Sequence, residues 1–202
     1  SQINPHFLFN ALESIRMRAH LKGQAEIAQV VRLLGKLMRK NLEIGNGKIE
    51  LQSEVETVRC YLFIQKFRYD DRLTYELNID PKAHSLMIPP LIIQPLVENS
   101  VIHGLENRIP GGMVQVDVQV EEQQLRIQVT DNGEGMSEES IIALYKRLES
   151  RDDEGNLHIG LRNVHSRLQL TYGRDFGLTI VSKIGSGTQV SFVIPLRSES
   201  FV

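Results

Sequence analysis

The chain has no tryptophan, a single cysteine and only 6% aromatic residues. One cysteine, Cys60, excludes an internal disulfide and suits a reducing compartment. Its place in an amphipathic stretch reads as a small buried hydrophobe rather than a nucleophile. A charge excess of either sign is missing too: 23 basic against 25 acidic side chains leave a formal net charge of −2. Nucleic-acid binding demands a basic excess, so this balance gives no reason to expect nucleic acid as a partner. Long apolar runs are also lacking. The longest, Met87 to Val97, is broken by Pro89, Pro90, Gln94 and Pro95, and a membrane span needs about 20 apolar residues. No signal peptide opens the chain. A motif begins within a few residues of Ser1, so a sensor or membrane region is expected upstream. What is present is ordinary: 41% hydrophobic and 24% charged residues over 202 positions, enough for one good core or a small module joined to a medium domain.

The first quarter reads as helices. Asn4-Pro5 is a helix start, with asparagine as N-cap and proline in the first turn, where its missing N–H costs nothing. Leu8, Leu12, Ile15 and Ala19 follow helical spacing, and Gly23 breaks it. A second stripe runs through Ile27, Val30, Val31, Leu34, Leu37, Met38 and Leu42 to Gly45-Asn46-Gly47. Two amphipathic helices on a short turn cannot bury both stripes alone, so pairing with a second copy into a four-helix bundle is expected. Leu51, Val55, Val58 and Leu62 mark a third helix, with Ser53 as candidate cap and an end near Tyr69-Asp70-Asp71.

The texture then changes. Leu73–Ile79 alternates like a strand, Pro89 to Gly104 reads as a helix begun by its prolines, and Val114–Val120 with Leu125–Val129 form a hairpin across Glu121 to Gln124. Helices are expected at Glu138–Leu148 and Leu161–Leu170, and strands at Leu178–Lys183 and Thr188–Ile194. Helices and mostly antiparallel strands mixed in this way predict an α+β layer sandwich.

Several constellations carry chemistry. Asp131-Asn132-Gly133-Glu134-Gly135-Met136 follows a strand directly; its glycines allow a tight turn and close approach to a ligand, and its carboxylate can accept from an exocyclic amine such as that of adenine. An ordinary turn has the same pattern. No P-loop is present, so any nucleotide is held differently. In Glu98-Asn99-Ser100-Val101-Ile102-His103-Gly104, helical spacing puts Asn99 and His103 on one face with Glu98 beside them. An amide oxygen suits Mg²⁺ and a histidine can meet a phosphate; the plain alternative is a polar helix end. Ile159-Gly160-Leu161 opens a helix, a place where free N–H groups favour an anion, and Gly185-Ser186-Gly187-Thr188 is a tight turn. The charged run from Ser150 to His158 sits where a lid would lie. Near the N-terminus His6, Asn10 and Glu13 share one helix face, opposite Leu8, Leu12 and Ile15. An exposed imidazole is usually a plain surface residue, but it can accept a phosphoryl group. Phe7 and Phe9 beside it hint at a docking surface.

Taken in order, these pieces resemble the LytS/YesM type of sensor histidine kinases in the GHKL ATPase superfamily. Ile3-Asn4-Pro5-His6-Phe7-Leu8-Phe9-Asn10 resembles the H-box, Pro95-Leu96-Val97-Glu98-Asn99 through His103-Gly104 the N-box, and Asp131–Met136, Ile159–Val164 and Gly185–Thr188 the glycine boxes. The resemblance covers nearly the whole chain. It implies a helical dimerisation and phosphotransfer region over residues 1–70 and a GHKL (Bergerat-type) ATP-binding sandwich over 71–202. It implies a homodimer, ATP with Mg²⁺ as cofactors, Asn99 on the metal, Asp131 on the adenine amine, and Gly133, Gly135, Gly160 and Leu161 shaping pocket and lid. Gly187 and Thr188 belong to the floor beside Asp131, and His103 to the nucleotide site. The γ-phosphoryl group passes to His6 and then to an aspartate on a response regulator receiver domain. Two positions depart from the family pattern. Phe7 stands where many relatives have an acidic base after the acceptor, leaving Glu98 as candidate base and Asn10 to orient the ring; His158 stands where a glycine is expected. A nucleotide-binding scaffold without kinase activity is the alternative. A chaperone-like or mismatch-repair-like ATPase would lack the Pro5-His6-Phe7 hairpin.

Overall fold

The computed structural model describes residues 4–43, 45, 47–104, 111–150 and 159–196. Helix α1, Pro5–Leu21, starts as its sequence dictates: Asn4 is extended and its Oδ1 accepts the His6 N–H at 3.0 Å. Gly23 takes φ +69°, a left-handed turn that suits glycine, and returns the chain into α2, Ala25–Glu43. The two helices pack on each other, with the Gly35 backbone close to Leu12, and α2 packs in turn on α3, Leu51–Tyr69.

The α3 helix begins two residues before the expected cap. Its N-cap position is Glu50, with no side-chain cap, while the Ser53 carbonyl accepts from Thr57 Oγ1. The first N–H groups have other partners, since Leu51 and Gln52 donate to the carbonyls of Leu86 and His84. With those donors satisfied, a cap is superfluous. A short pairing of β1, Ile49–Glu50, with β3, Met87–Ile88, secures the same junction.

Among the described residues the main sheet has five strands in the order β2-β4-β5-β7-β6. These are β2 (Leu73–Ile79), β4 (Gly112–Glu121), β5 (Gln124–Asp131), β6 (Thr179–Lys183) and β7 (Gly187–Pro195). All neighbours are antiparallel except β2 and β4, whose long connection permits a parallel pairing. The β4–β5 hairpin pairs Glu121 with Gln124, so the turn narrows to Glu122-Gln123. On β4 the alternation is plain: Val114, Val116 and Val118 are buried, while Asp117 on the other face takes hydrogen bonds from Asn78 and Gln115.

Helices cover the apolar face. They are α3, α4 (Gln94–Asn99), α5 (Glu138–Glu149) and α6 (Ile159–Tyr172). Leu51, Val55, Val58 and Leu62 of α3 join Leu96, Leu161 and the inward valines of the sheet in one core. The architecture is thus the expected α+β layering, and α3 shares the core of the sheet while also carrying α2 on its outer side. The helix expected from Pro89 is shorter at its start. Regular turns run only from Gln94 to Asn99, and a wider π-helical turn continues over Ser100–Gly104. Ahead of it Leu91 holds φ +55°, and the N–H groups of Leu91, Ile92, Ile93 and Gln94 point at the Glu54 carboxylate rather than into a helix.

Candidate functional site

The sheet brings together residues that lie far apart in sequence. Asp131 ends β5 and is 4% exposed, directly opposite Thr188 of β7. Its Oδ1 accepts the Gly133 N–H at 2.9 Å and the Thr188 N–H at 3.2 Å. A buried carboxylate is tolerable only with donors of this kind around it. Asn132 fastens the same turn from its other side: Oδ1 accepts from Met113 N–H and Nδ2 donates to the Gly111 carbonyl.

The glycine turns pack backbone against backbone. Gly187 has φ +93°, and a Cβ there would stand 1.9 Å from the Asp131 carbonyl oxygen. Gly135 has φ +69°, and its Cβ would stand 1.9 Å from the Lys183 carbonyl oxygen. No other residue fits either place. Ser182 of β6 completes the knot, with Oγ accepting from Met136 N–H at 2.8 Å, donating to the Gly187 carbonyl and meeting Thr188 Oγ1 at 2.8 Å. Sequence reasoning missed Ser182. Its signal was the alternation of β6, which puts it on the same face as the buried Ile180.

Glu98 and Asn99 lie on α4, both half-buried. Glu98 Oε1 accepts from Gln94 Nε2 at 2.7 Å. Burial of the Tyr61 phenol, with the Glu98 charge second, pushes it well above its ordinary pKa. The π-helical turn beyond Asn99 packs over β4, β5 and β7, the strand pairs that include Asp131 and Thr188. Turns of this kind are frequent at functional positions. His103 belongs to that turn, and its side chain lies outside the described residues. Gly160, at the start of α6, has a conformation open to any residue; a Cβ there would come within 3.2 Å of Pro95, so its smallness serves the approach of α6 to α4. Leu161 is 1% exposed within the core beneath. The candidate lid, residues 151–158 including His158, lies outside the described residues. Among the described residues no group of three or more His, Cys, Asp or Glu side chains could hold a metal ion. A hard cation here would rely on an oxygen such as that of Asn99 together with ligand oxygens, a common arrangement for Mg²⁺.

His6 stands apart from this cluster, exposed on α1. Its Nδ1 meets the Asn10 side-chain amide at 3.3 Å, one helical turn on. Glu13, on the same face, pairs instead with Arg16. Phe7 is 67% exposed, and Phe9 lies under the Arg39 guanidinium, 5.2 Å from ring centroid to carbon.

A buried strand-end carboxylate, glycine turns admitting no side chain, and an exposed histidine on a separate helical hairpin delimit the family. Residues 89–198 match the model of the histidine kinase-, DNA gyrase B- and HSP90-like ATPases, and residues 1–73 match that of the histidine kinases. The chain belongs to the histidine kinases. Relatives include the sensor histidine kinase YesM of Bacillus subtilis, 37% identical over 98% of this histidine kinase chain, and the sensor histidine kinase YpdA of Escherichia coli, 37% identical over 96%. The sensor protein LytS of Staphylococcus epidermidis is 35% identical over 98%. The chain spans about a third of the length of these curated relatives, 33% in each case. Solved structures share the fold of this histidine kinase chain. The histidine kinase domain of a blue-light activated kinase from Erythrobacter litoralis aligns with a TM-score of 0.54 at 18% identity, over 95% of this chain and 94% of that one. The catalytic domain of histidine kinase ThkA aligns with a TM-score of 0.56 at 17% identity, over 76% and 97%. The ATPase family implies ATP binding by the sheet layer. No described helix is long and apolar enough to cross a membrane.

Proposed function

We propose that the chain autophosphorylates His6 from ATP and passes the phosphoryl group to an aspartate on a response regulator receiver domain. The observation that carries this reading is the exposed His6 imidazole with Nδ1 engaged by Asn10, in a chain whose sheet layer belongs to an ATPase family. The Asn10 Nδ2 faces Nδ1; turning that amide would present its oxygen to a protonated Nδ1, which leaves the Nε2 lone pair free to react. Nε2 attacks the γ-phosphorus, the bond from γ-phosphorus to the bridging oxygen breaks, and ADP leaves with that electron pair. The imidazolium proton goes to a carboxylate, for which Glu98 is the candidate. Asp131 receives the adenine amine, with Thr188, Gly133, Gly135 and Gly187 as floor; Gly160, Leu161 and His103 border the phosphate side. Magnesium, held by Asn99 and phosphate oxygens, would supply charge neutralisation. Catalysis of this kind is mostly positioning.

The division follows the same reading. Residues 1–70 serve dimerisation and phosphotransfer and residues 71–202 bind ATP, with α3 as the shared wall. Homodimerisation is supported by apolar side chains left on the hairpin surface, among them Ile15, Ile27, Leu34 and Leu42. The relatives are sensor kinases roughly three times as long, which supports a cytoplasmic catalytic part of a membrane-anchored bacterial sensor.

The test is transfer of label from γ-labelled ATP. His6→Gln abolishes labelling while ATP binding persists. Label surviving in that variant sinks the assignment, and a wild type that binds ATP without labelling favours the nucleotide-binding scaffold.

A further inference from the structure

Glu54 sits on the inward face of α3, between Leu51 and Val58, and is 2% exposed. A carboxylate at that depth persists only among donors. Its Oε2 accepts the Leu91 N–H at 2.8 Å, and its Oε1 accepts those of Ile92, Ile93 and Gln94 at 3.0, 3.0 and 3.2 Å. The segment it gathers is itself unusual. Leu91 at φ +55° is in the left-handed region that side chains disfavour, and such a conformation lasts only where its surroundings impose it. That segment leads without a break into α4, whose far end carries Glu98 and Asn99.

Glu54 also has a link outward. Lys40 of α2 donates to the Ser53 carbonyl, Ser53 Oγ and Thr57 Oγ1 at 2.8, 3.0 and 3.2 Å, on either side of Glu54 along α3. The hairpin and the start of α4 thus fasten to the same turns of α3, Lys40 at Ser53 and Thr57 and the 91–94 backbone at Glu54. Asp131 is held by different bonds, from Gly133 and Thr188.

We infer that Glu54 is a positioning residue for the nucleotide site: it sets the start of α4 and hence the place of Asn99, and Lys40 ties that setting to the hairpin. The inference rests on the reading of Asn99 as the magnesium-bearing side chain. Without the carboxylate, four N–H groups lose their acceptor at the root of that helix, and buried donors left so reorganise the backbone that bears them.

The experiment measures equilibrium binding of ATP to the whole chain, with magnesium and with EDTA, for wild type, Glu54→Gln, Asn99→Ala and the double variant. Glutamine keeps the size and one acceptor oxygen but turns an NH₂ toward a backbone N–H. Glu54→Gln weakens binding about tenfold in magnesium and less than about twofold in EDTA. The double variant binds like Asn99→Ala alone, because residues acting through one another are not additive. A loss equal in both conditions, an additive double variant or an unchanged affinity overturns the inference. A wild type that binds no ATP in either condition overturns the functional reading first and this one with it. If Glu54→Gln melts before the assay, Lys40→Met replaces it. That variant lowers affinity about two- to threefold in magnesium only, and an unchanged affinity overturns the inference.

Discussion

The helical hairpin and the sheet layer treat their apolar residues differently. In the sheet layer Leu62, Leu73, Ile92, Leu96, Leu125 and Ile127 are fully buried, and each such side chain contributes about 1.5–3 kcal/mol. In the hairpin the buried positions are small or few, Ala19, Ala28 and Leu37, while Ile15, Leu21, Ile27 and Leu42 are 40–79% exposed. The same hydrophobic effect thus finishes one region within a single copy of the chain and leaves the other with a surface to cover.

Three experiments break or sharpen that contrast. The largest effect falls in the sheet layer. Gly187→Ala drives a Cβ into the Asp131 carbonyl oxygen and destabilises the chain by about 4 kcal/mol or more. Gly185→Ala, in the same turn at φ +78° with open space around it, loses only about 1–2 kcal/mol. Thermal melts of the two variants check this, and equal losses would show that backbone contact does not govern the turn.

The second experiment addresses the hairpin. Leu34→Glu, at a position 38% exposed, shifts the sedimentation profile from dimer toward monomer while costing the isolated fold less than about 0.5 kcal/mol. A dimer that persists, or a monomeric wild type, removes the surface from its role in pairing.

The smallest effect is a pH dependence. His165 is buried, its Nδ1 accepts the Leu178 N–H at 3.1 Å, and its Nε2 finds no partner among the described residues. Burial lowers its pKa below the ordinary 6.5, against a smaller opposing pull from Glu149. The folded chain then binds fewer protons than the unfolded one once the pH drops below about 6.5. Stability is complete above that value and declines as the pH falls toward the lowered folded pKa. His165→Asn keeps an acceptor for Leu178 and flattens this slope in melts between pH 7 and 5. An unchanged slope assigns it elsewhere.

Much of the site was legible because its chemistry is local in sequence. Asn4-Pro5 caps α1 and Asp131-Asn132-Gly133 turns at the end of β5, and capping and turn geometry need only neighbouring residues. The contacts that secure them were not legible. Ser53 resembles an N-cap, but Leu86 and His84 had already satisfied the first donors of α3. The prolines before α4 resemble a helix start, but Glu54 draws those N–H groups away. Glu54 left a faint trace, an acidic residue on an apolar helix face; its partners lie 37 to 40 positions away.

The sequence by itself determined the periods, caps and glycine turns, and with them the order of helices and strands and the presence of His6 and Asp131 on defined ends. Each follows from dihedral preference and side-chain spacing within a few residues. Tertiary structure alone decided that β2 runs parallel to β4, that Asp131 meets Thr188 across the sheet, and that a buried carboxylate on α3 governs where α4 begins. Those outcomes depend on which distant donors and apolar faces remain unsatisfied once the chain collapses, and no local stretch contains that information.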